Sequence, residues 1–291
     1  MNFNNTSEFL ALMEDIFVQE PEDREKFLRR LDLTEEEFQS IINGELEPDK
    51  LQLENIYNYA YNNNLYLNEI LWQDRLDELR GFDVNVCSHG SRGNIEGDIK
   101  TDLVTASSDF GSGFYLGQGI QQAGMWVAGE PNSSMYIFTF DEAGLTKAQF
   151  NVSIDWMLAV CYYRHQIPQY EEHPIVKEIV NRVETCDFVL APIADNKLFE
   201  VIDAFAAEEI TDLQCLYALS ATHLGYQFVL KTSAAARQLT MIDHLYFCSV
   251  EKSFYNKESD VEENTALHKA FRAKKRYKDQ GKYISELLGN K

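Results

Sequence analysis

Apolar residues recur at helical spacing through the first eighty positions and then stop doing so, and this change of period constrains the fold of the chain more than any other feature. Phe9, Leu12, Met13 and Ile16 fall on one helical face, as do Phe27, Leu28 and Leu31, then Phe38, Ile41 and Ile42, then Leu53, Ile56, Tyr57 and Ala60. Leu67, Ile70 and Leu71 start a last helix toward Arg80. The punctuation agrees: Pro21 opens one helix, Thr34 with Glu37 forms a capping box, Asn43-Gly44 closes that helix, and Pro48-Asp49 precedes the next. Residues 1–80 are therefore expected to form a bundle of about five short helices.

From Gly81 the pattern is of strands. Val84 to Cys87, Met135 to Phe140, Phe188 to Ala191 and Gln227 to Leu230 are rich in β-branched and aromatic residues and flanked by turn formers. Helical patterns lie between them, near Ile120 to Val127, Ile154 to Tyr163, Ile175 to Val183, Leu198 to Ala207 and Ala234 to Leu239. Residues 81–250 are expected to be an α+β domain, with helices covering a partly antiparallel sheet. Residues 251–291 read as a polar linker (Glu258 to Asn264) followed by a basic helix from Ala266 to Leu288. That helix carries Lys269, Arg272, Lys274, Lys275, Arg276, Lys278 and Lys282.

A length of 291 residues suits about two domains at roughly 150 residues each. With 45% hydrophobic and 25% charged residues the chain is not of the disordered class. The formal charge of -21 repels polyanions unless the positive residues are gathered on one face. Cys87, Cys161, Cys186, Cys215 and Cys248 are odd in number, widely spaced and never in a C-x-x-C pair. They suggest neither a disulfide framework nor a thiolate zinc site, but buried thiols in a reducing compartment. No apolar run reaches the roughly 20 residues of a membrane span, and the amino terminus lacks the pattern of a signal peptide. A cytoplasmic protein without membrane contact is expected.

Two segments stand out for chemistry: Ser88-His89-Gly90-Ser91, directly after a strand, and Asp109-Phe110-Gly111-Ser112-Gly113-Phe114-Tyr115-Leu116-Gly117. Both combine glycine with polar or aromatic side chains where a ligand can approach the backbone. The glycines do not make a dinucleotide fingerprint: the third glycine of G-x-G-x-x-G falls on Leu116 or, starting at Gly117, on Gln122. No serine sits in G-x-S-x-G and no histidine in H-E-x-x-H, so neither a hydrolase elbow nor a catalytic metal is expected. Asp195-Asn196 reads as a cap for a helix starting near Lys197.

His89-Gly90-Ser91, the run from Asp109 to Tyr115, the stretch Cys186 to Asn196 and the stretch Tyr226 to Thr232 occur in the order seen in a bacterial domain-of-unknown-function family predicted to be ADP-ribosyltransferase-like, which residues 82 to 250 resemble. The resemblance implies a split, strongly bent sheet that holds NAD, as substrate, through side chains from three strands. Carried over residue by residue, these are His89, Tyr115 and Gln227, a His-Tyr-Gln variant, with His89, Gly90, Ser91, Asp109, Gly113, Phe114 and Tyr115 around the dinucleotide. In this picture His89 bonds the adenosine-side ribose, Tyr115 offers its ring to nicotinamide, and Gln227 accepts a hydrogen bond from the nicotinamide ribose as positive charge develops on the sugar. Gln227 departs from the usual glutamate. An amide lacks the charge that makes such a bond about twice as strong, so a nearby acid, Asp109 or Asp195, would have to supply it, or turnover is slow, or the domain binds NAD without using it. Gly225 stands where arginine-targeting members carry an acid or amide, which disfavours arginine as acceptor.

Leu33 to Phe38, Ile42-Asn43-Gly44, Pro48 and Leu53 to Ile56 resemble the later helices of a phage-repressor type helix-turn-helix domain. That resemblance implies that the helix at about 34 to 42 enters the major groove. Residues 1–80 carry 19 Asp and Glu against 7 Lys and Arg, a net of -12, where phosphate contacts need positive charge. The bundle is therefore expected to meet a protein, such as an antitoxin or regulator, and DNA binding is disfavoured. The leading expectation for the whole is a toxin or effector that cleaves NAD at the nicotinamide bond and passes ADP-ribose to a macromolecular acceptor or to water. The alternative is a non-catalytic nucleotide-binding or protein-interaction module.

Overall fold

The computed structural model describes residues 5–17, 21–102, 108–194, 199–220, 225–278 and 280–289. These hold thirteen α-helices and seven strands in a mixed α+β arrangement. The chain divides into two compact units. The first gathers residues 1–95, 119–140 and 240–257, the second residues 96–118, 141–239 and 258–291. Each unit thus draws on distant stretches of sequence.

In the first unit, α1 (Asn5–Phe17), α2 (Pro21–Leu31), α3 (Glu35–Ile42), α4 (Lys50–Asn62) and α5 (Leu67–Glu78) form the expected helices. Thr34 caps α3 through its hydroxyl while Glu37 returns a bond to the Thr34 amide, and Asp49 and Gln52 do the same for α4. The apolar stripes meet in a core around Phe9, Leu10, Phe27, Leu31, Phe38 and Ile56. Complete burial of a side chain such as Phe38 stabilises by about 1.5–3 kcal/mol.

The same unit holds strands β1 (Asn85–Ser91), β3 (Ser134–Phe140) and β7 (Leu239–Leu245), in the order β1-β3-β7, with β1 and β3 antiparallel and His89 opposite Tyr136. Helix α6 (Ile120–Val127) covers one face of these strands, packing Ile120, Ala123 and Val127 with Met135, Ile137 and, from α5, Leu71 and Trp72. The long helix α12 (Ser249–Arg276) begins here and takes its first acceptors from α4. Glu54 Oε1 accepts from the Ser249 amide at 2.9 Å, and Asn58 Oδ1 accepts from the Val250 amide at 3.1 Å. On α5, Asn68 Nδ2 donates at 2.8 Å both to the Tyr246 carbonyl and to the buried carboxyl of Glu251. Arg75 closes a fork on the buried carboxylate of Asp243.

The second unit contains β2 (Phe114–Gly117), β4 (Lys147–Gln149), β5 (Phe188–Pro192) and β6 (Tyr226–Leu230) in the order β4-β5-β6-β2. Pairing is parallel between β4 and β5 and antiparallel elsewhere in the row. Helices α7 (Ile154–Tyr163), α8 (Pro174–Glu184), α9 (Phe199–Ala206) and α10 (Asp212–Ser220) pack a large apolar core against one face, with Trp156, Val160, Val189, Phe205 and Val229 fully enclosed. Two short helices complete the unit, α11 (Ser233–Arg237) and α13 (Ile284–Leu288).

Four expectations need correction. Ser88 to Ser91 do not follow a strand but form the second half of β1. The basic helix expected from Ala266 to Leu288 is broken, α12 ending at Arg276 and α13 starting at Ile284. The stretch 258–264 is not a linker but continuous helix within α12. Strand β7 starts at Leu239, where a helix was expected to end. The cap expected at Asp195-Asn196 lies outside the described residues.

Candidate functional site

Strand pairing puts Tyr115 and Gln227 on one face of the second unit's sheet. Tyr115 stands opposite Val229 and Gly117 opposite Gln227, and in a pleated pair residues two apart share a face. Both side chains converge on the loop that begins at Asp109. The Tyr115 hydroxyl accepts from the Phe110 amide at 3.1 Å and donates to the Gly111 carbonyl at 2.8 Å. Burial, reinforced by Asp109, pushes its phenol above the ordinary tyrosine range. The Lys231 ammonium, itself pushed down by burial, donates to the Phe110 carbonyl at 2.7 Å.

Gln227 is buried, and its Nε2 donates to Asp109 Oδ2 at 2.8 Å and to the Pro192 carbonyl at 3.3 Å. Asp109 is buried as well. Its Oδ2 also accepts from the Ala194 amide at 2.9 Å, and its Oδ1 accepts from Arg164 Nη2, which further donates to the Ala194 carbonyl at 2.6 Å. Burial holds the Asp109 carboxyl above its ordinary range, and Arg164, Gln227 and the Ala194 amide oppose that shift without reversing it. All three partners are donors, which favours the ionised form. The result is a buried node in which a carboxylate links an arginine, a backbone amide and a glutamine from four separate stretches of chain.

Sequence reasoning named Asp109 as a nearby acid but missed Arg164, Ala194 and the role of Lys231. Arg164 sits just past the end of α7 as its C-cap, with nothing in its local sequence to mark it.

His89 belongs to the first unit, on β1, with its side chain on the face opposite α6. Its neighbours Ser88 and Gly90 point toward that helix. Tyr136, opposite His89, is buried and stacks on His244 of β7 with ring centroids 4.4 Å apart and planes 4° from parallel. The Tyr136 hydroxyl accepts from the Ile95 amide. Gly90 has no room for a side chain, since a Cβ would lie 2.5 Å from the Ala123 carbonyl. Gly113 is similarly enclosed, 2.6 Å from Val229 Cγ1. The two glycines thus serve close packing of α6 on β1 and of the β2 approach on β6. Phe114 is buried opposite Leu230, and Ser91 ends β1 with its hydroxyl toward the Gly93 amide. A surface hollow in the first unit, lined by Tyr66, Glu69, Ile70, Trp72 and Gln121 among others, includes none of the expected site residues.

All five cysteines are free and buried, and among the described residues no helix is long and apolar enough to cross a membrane. The family described as protein of unknown function (DUF3990) matches residues 86–241, just over half of the chain. No curated protein and no solved structure matches.

Proposed function

This chain belongs to the DUF3990 family of proteins of unknown function, and we propose that it is an ADP-ribosyltransferase-like enzyme that uses NAD as substrate. The nicotinamide–ribose bond breaks with its electron pair leaving on nicotinamide. The ribose carbon then bonds to a nucleophile of a macromolecular acceptor or to water, which gives up its proton to solvent.

The observation that carries this reading is the 2.8 Å hydrogen bond from Gln227 to the Asp109 carboxylate. An amide that donates to an anion carries more electron density on its own oxygen, because hydrogen bonds in a chain polarise one another. Gln227 thereby regains part of the acceptor strength that a glutamate would have toward the ribose of a developing oxocarbenium ion. Tyr115, tied down at its hydroxyl, presents a ring of fixed orientation, and fixed orientation is what substrate positioning requires. His89 takes the role that the family resemblance gives it, a contact to the adenosine-side ribose.

Incubation with NAD and chromatography of released nicotinamide tests the proposal. Release by the native protein and its loss in His89→Ala support it; a native protein that binds NAD without releasing nicotinamide overturns it. That second outcome is the signature of a non-catalytic nucleotide-binding module. Such a module is favoured by one feature, that the Gln227 amide hydrogens and the Tyr115 hydroxyl already have partners within the protein. The acidic bundle, with Glu35 and Glu36 exposed on α3, is proposed to meet a regulatory protein. Unchanged binding of that partner after both are exchanged for Lys removes this part of the reading.

A further inference from the structure

The basic end of α12 has no place in the proposed chemistry. Seven of the chain's 26 basic residues fall between positions 269 and 282, against one acid, Asp279, in a protein of net charge -21. The helix is fixed to its own unit on one side: Arg276 Nη1 donates to the Tyr217 hydroxyl of α10 at 2.9 Å, and its guanidinium lies over the rings of Tyr217 and Tyr277. At about 100° per residue, Phe271 lies roughly 140° around the helix from Arg276, and His268, Arg272 and Lys275 lie within about 100° of Phe271. All four are exposed, Phe271 by 72%. Lys278, just past the helix, is exposed as well.

We propose that this face, His268, Phe271, Arg272 and Lys275 with Lys278 beside it, binds single-stranded nucleic acid. An exposed ring between cations matches a strand that alternates phosphates with bare base faces, since stacking accepts any base and the cations track the backbone. A lipid surface suits it poorly: among the described residues 268–278, Phe271 is the one large apolar side chain exposed, whereas an interfacial helix needs a broad apolar face. An acidic protein surface complements the charge but gives the ring no flat partner. The overall negative charge is no obstacle where cations are gathered on one face.

The test is fluorescence anisotropy of a labelled, mixed-sequence 20-nucleotide RNA against the full-length protein. Three exposed cations on the strand, Arg272, Lys275 and Lys278, give a salt slope near -2, so affinity falls roughly 20-fold between 50 and 200 mM salt. Phe271→Ala weakens binding by roughly 5- to 150-fold, and Arg272→Glu with Lys275→Glu weakens it and cuts the salt slope to about -0.7 or less, the share of Lys278 alone. Circular dichroism checks that these surface variants keep the native helix content. Absence of binding at 50 mM salt overturns the proposal. So does binding that none of these substitutions changes, which places the site elsewhere. Self-association or adsorption to anionic phosphatidylserine vesicles that the same substitutions remove, with no RNA binding, also overturns it by naming a different occupant.

Discussion

Replacing Gln227 by glutamate puts the buried node under direct strain. The native amide donates to Asp109 and to the Pro192 carbonyl, and both side chains are almost fully enclosed. Gln227→Glu keeps the size but turns the donor into an acceptor, so two carboxyls face each other at hydrogen-bond distance while Arg164 remains on the far oxygen of Asp109. Two carboxyls that close share one proton and titrate as a pair. The folded variant therefore holds a proton that the unfolded chain, with a glutamate pKa of about 4.3, releases. Where the unfolded state binds fewer protons, stability falls as pH rises, here by about 1.4 kcal/mol per pH unit. Relative to the native protein the variant should lose about 4 kcal/mol between pH 5 and pH 8, on top of about 1 kcal/mol for the bond to Pro192 at every pH. Urea unfolding of both proteins at pH 5, 6.5 and 8 measures this. A stability difference that does not change with pH refutes the shared proton and with it the assigned node. The same geometry bears on catalysis: the pair carries one negative charge before and after the substitution, so Gln227→Glu should not raise nicotinamide release.

Burial pushes the Glu251 carboxyl up to about 8, opposed by its bond from Asn68. The folded chain then holds a proton that the unfolded chain loses near its ordinary 4.5, so native stability drops as pH rises from about 4.5 to 8. Glu251→Gln removes that dependence and stabilises at pH 8 by at most about 5 kcal/mol, with no gain below pH 4 in the same urea assay. Gly90→Ala forces a methyl against the Ala123 carbonyl and should cost about 1–3 kcal/mol, whereas Gly93→Ala, in open space, should fall within about 0.5 kcal/mol of native by thermal melting. Arg75→Met removes the guanidinium that pairs with the buried Asp243 carboxylate and should cost about 3–5 kcal/mol, read from the urea midpoint.

The bundle was legible because its signals are local. Thr34 with Glu37 and Asp49 before Lys50 act within one turn, and the same holds for α6 and α7, whose observed ends coincide with the periodic runs. What escaped depends on partners distant in sequence. Gly90 looks like a loop residue until α6 lies over it, so the local pattern ends β1 too early. Strand β7 sets the β-branched Thr240 and Ile242 among Leu, Met, Asp and His, so its identity comes from Arg75 on Asp243 and Tyr136 on His244 and not from its own pattern. The Asp109 node is the extreme case. Its members are separated by 55, 85 and 118 positions from Asp109, and each alone has an ordinary explanation.

The borrowed cap of α12 has a consequence for assembly. The amides of Ser249 and Val250 find their acceptors on Glu54 and Asn58, made 195 and 192 residues earlier. The start of this long helix therefore depends on side chains that leave the ribosome well before it. Synthesis order suits this, since the template is complete before its guest emerges, whereas a fragment lacking the first eighty residues would release that helix with its opening turn unsatisfied.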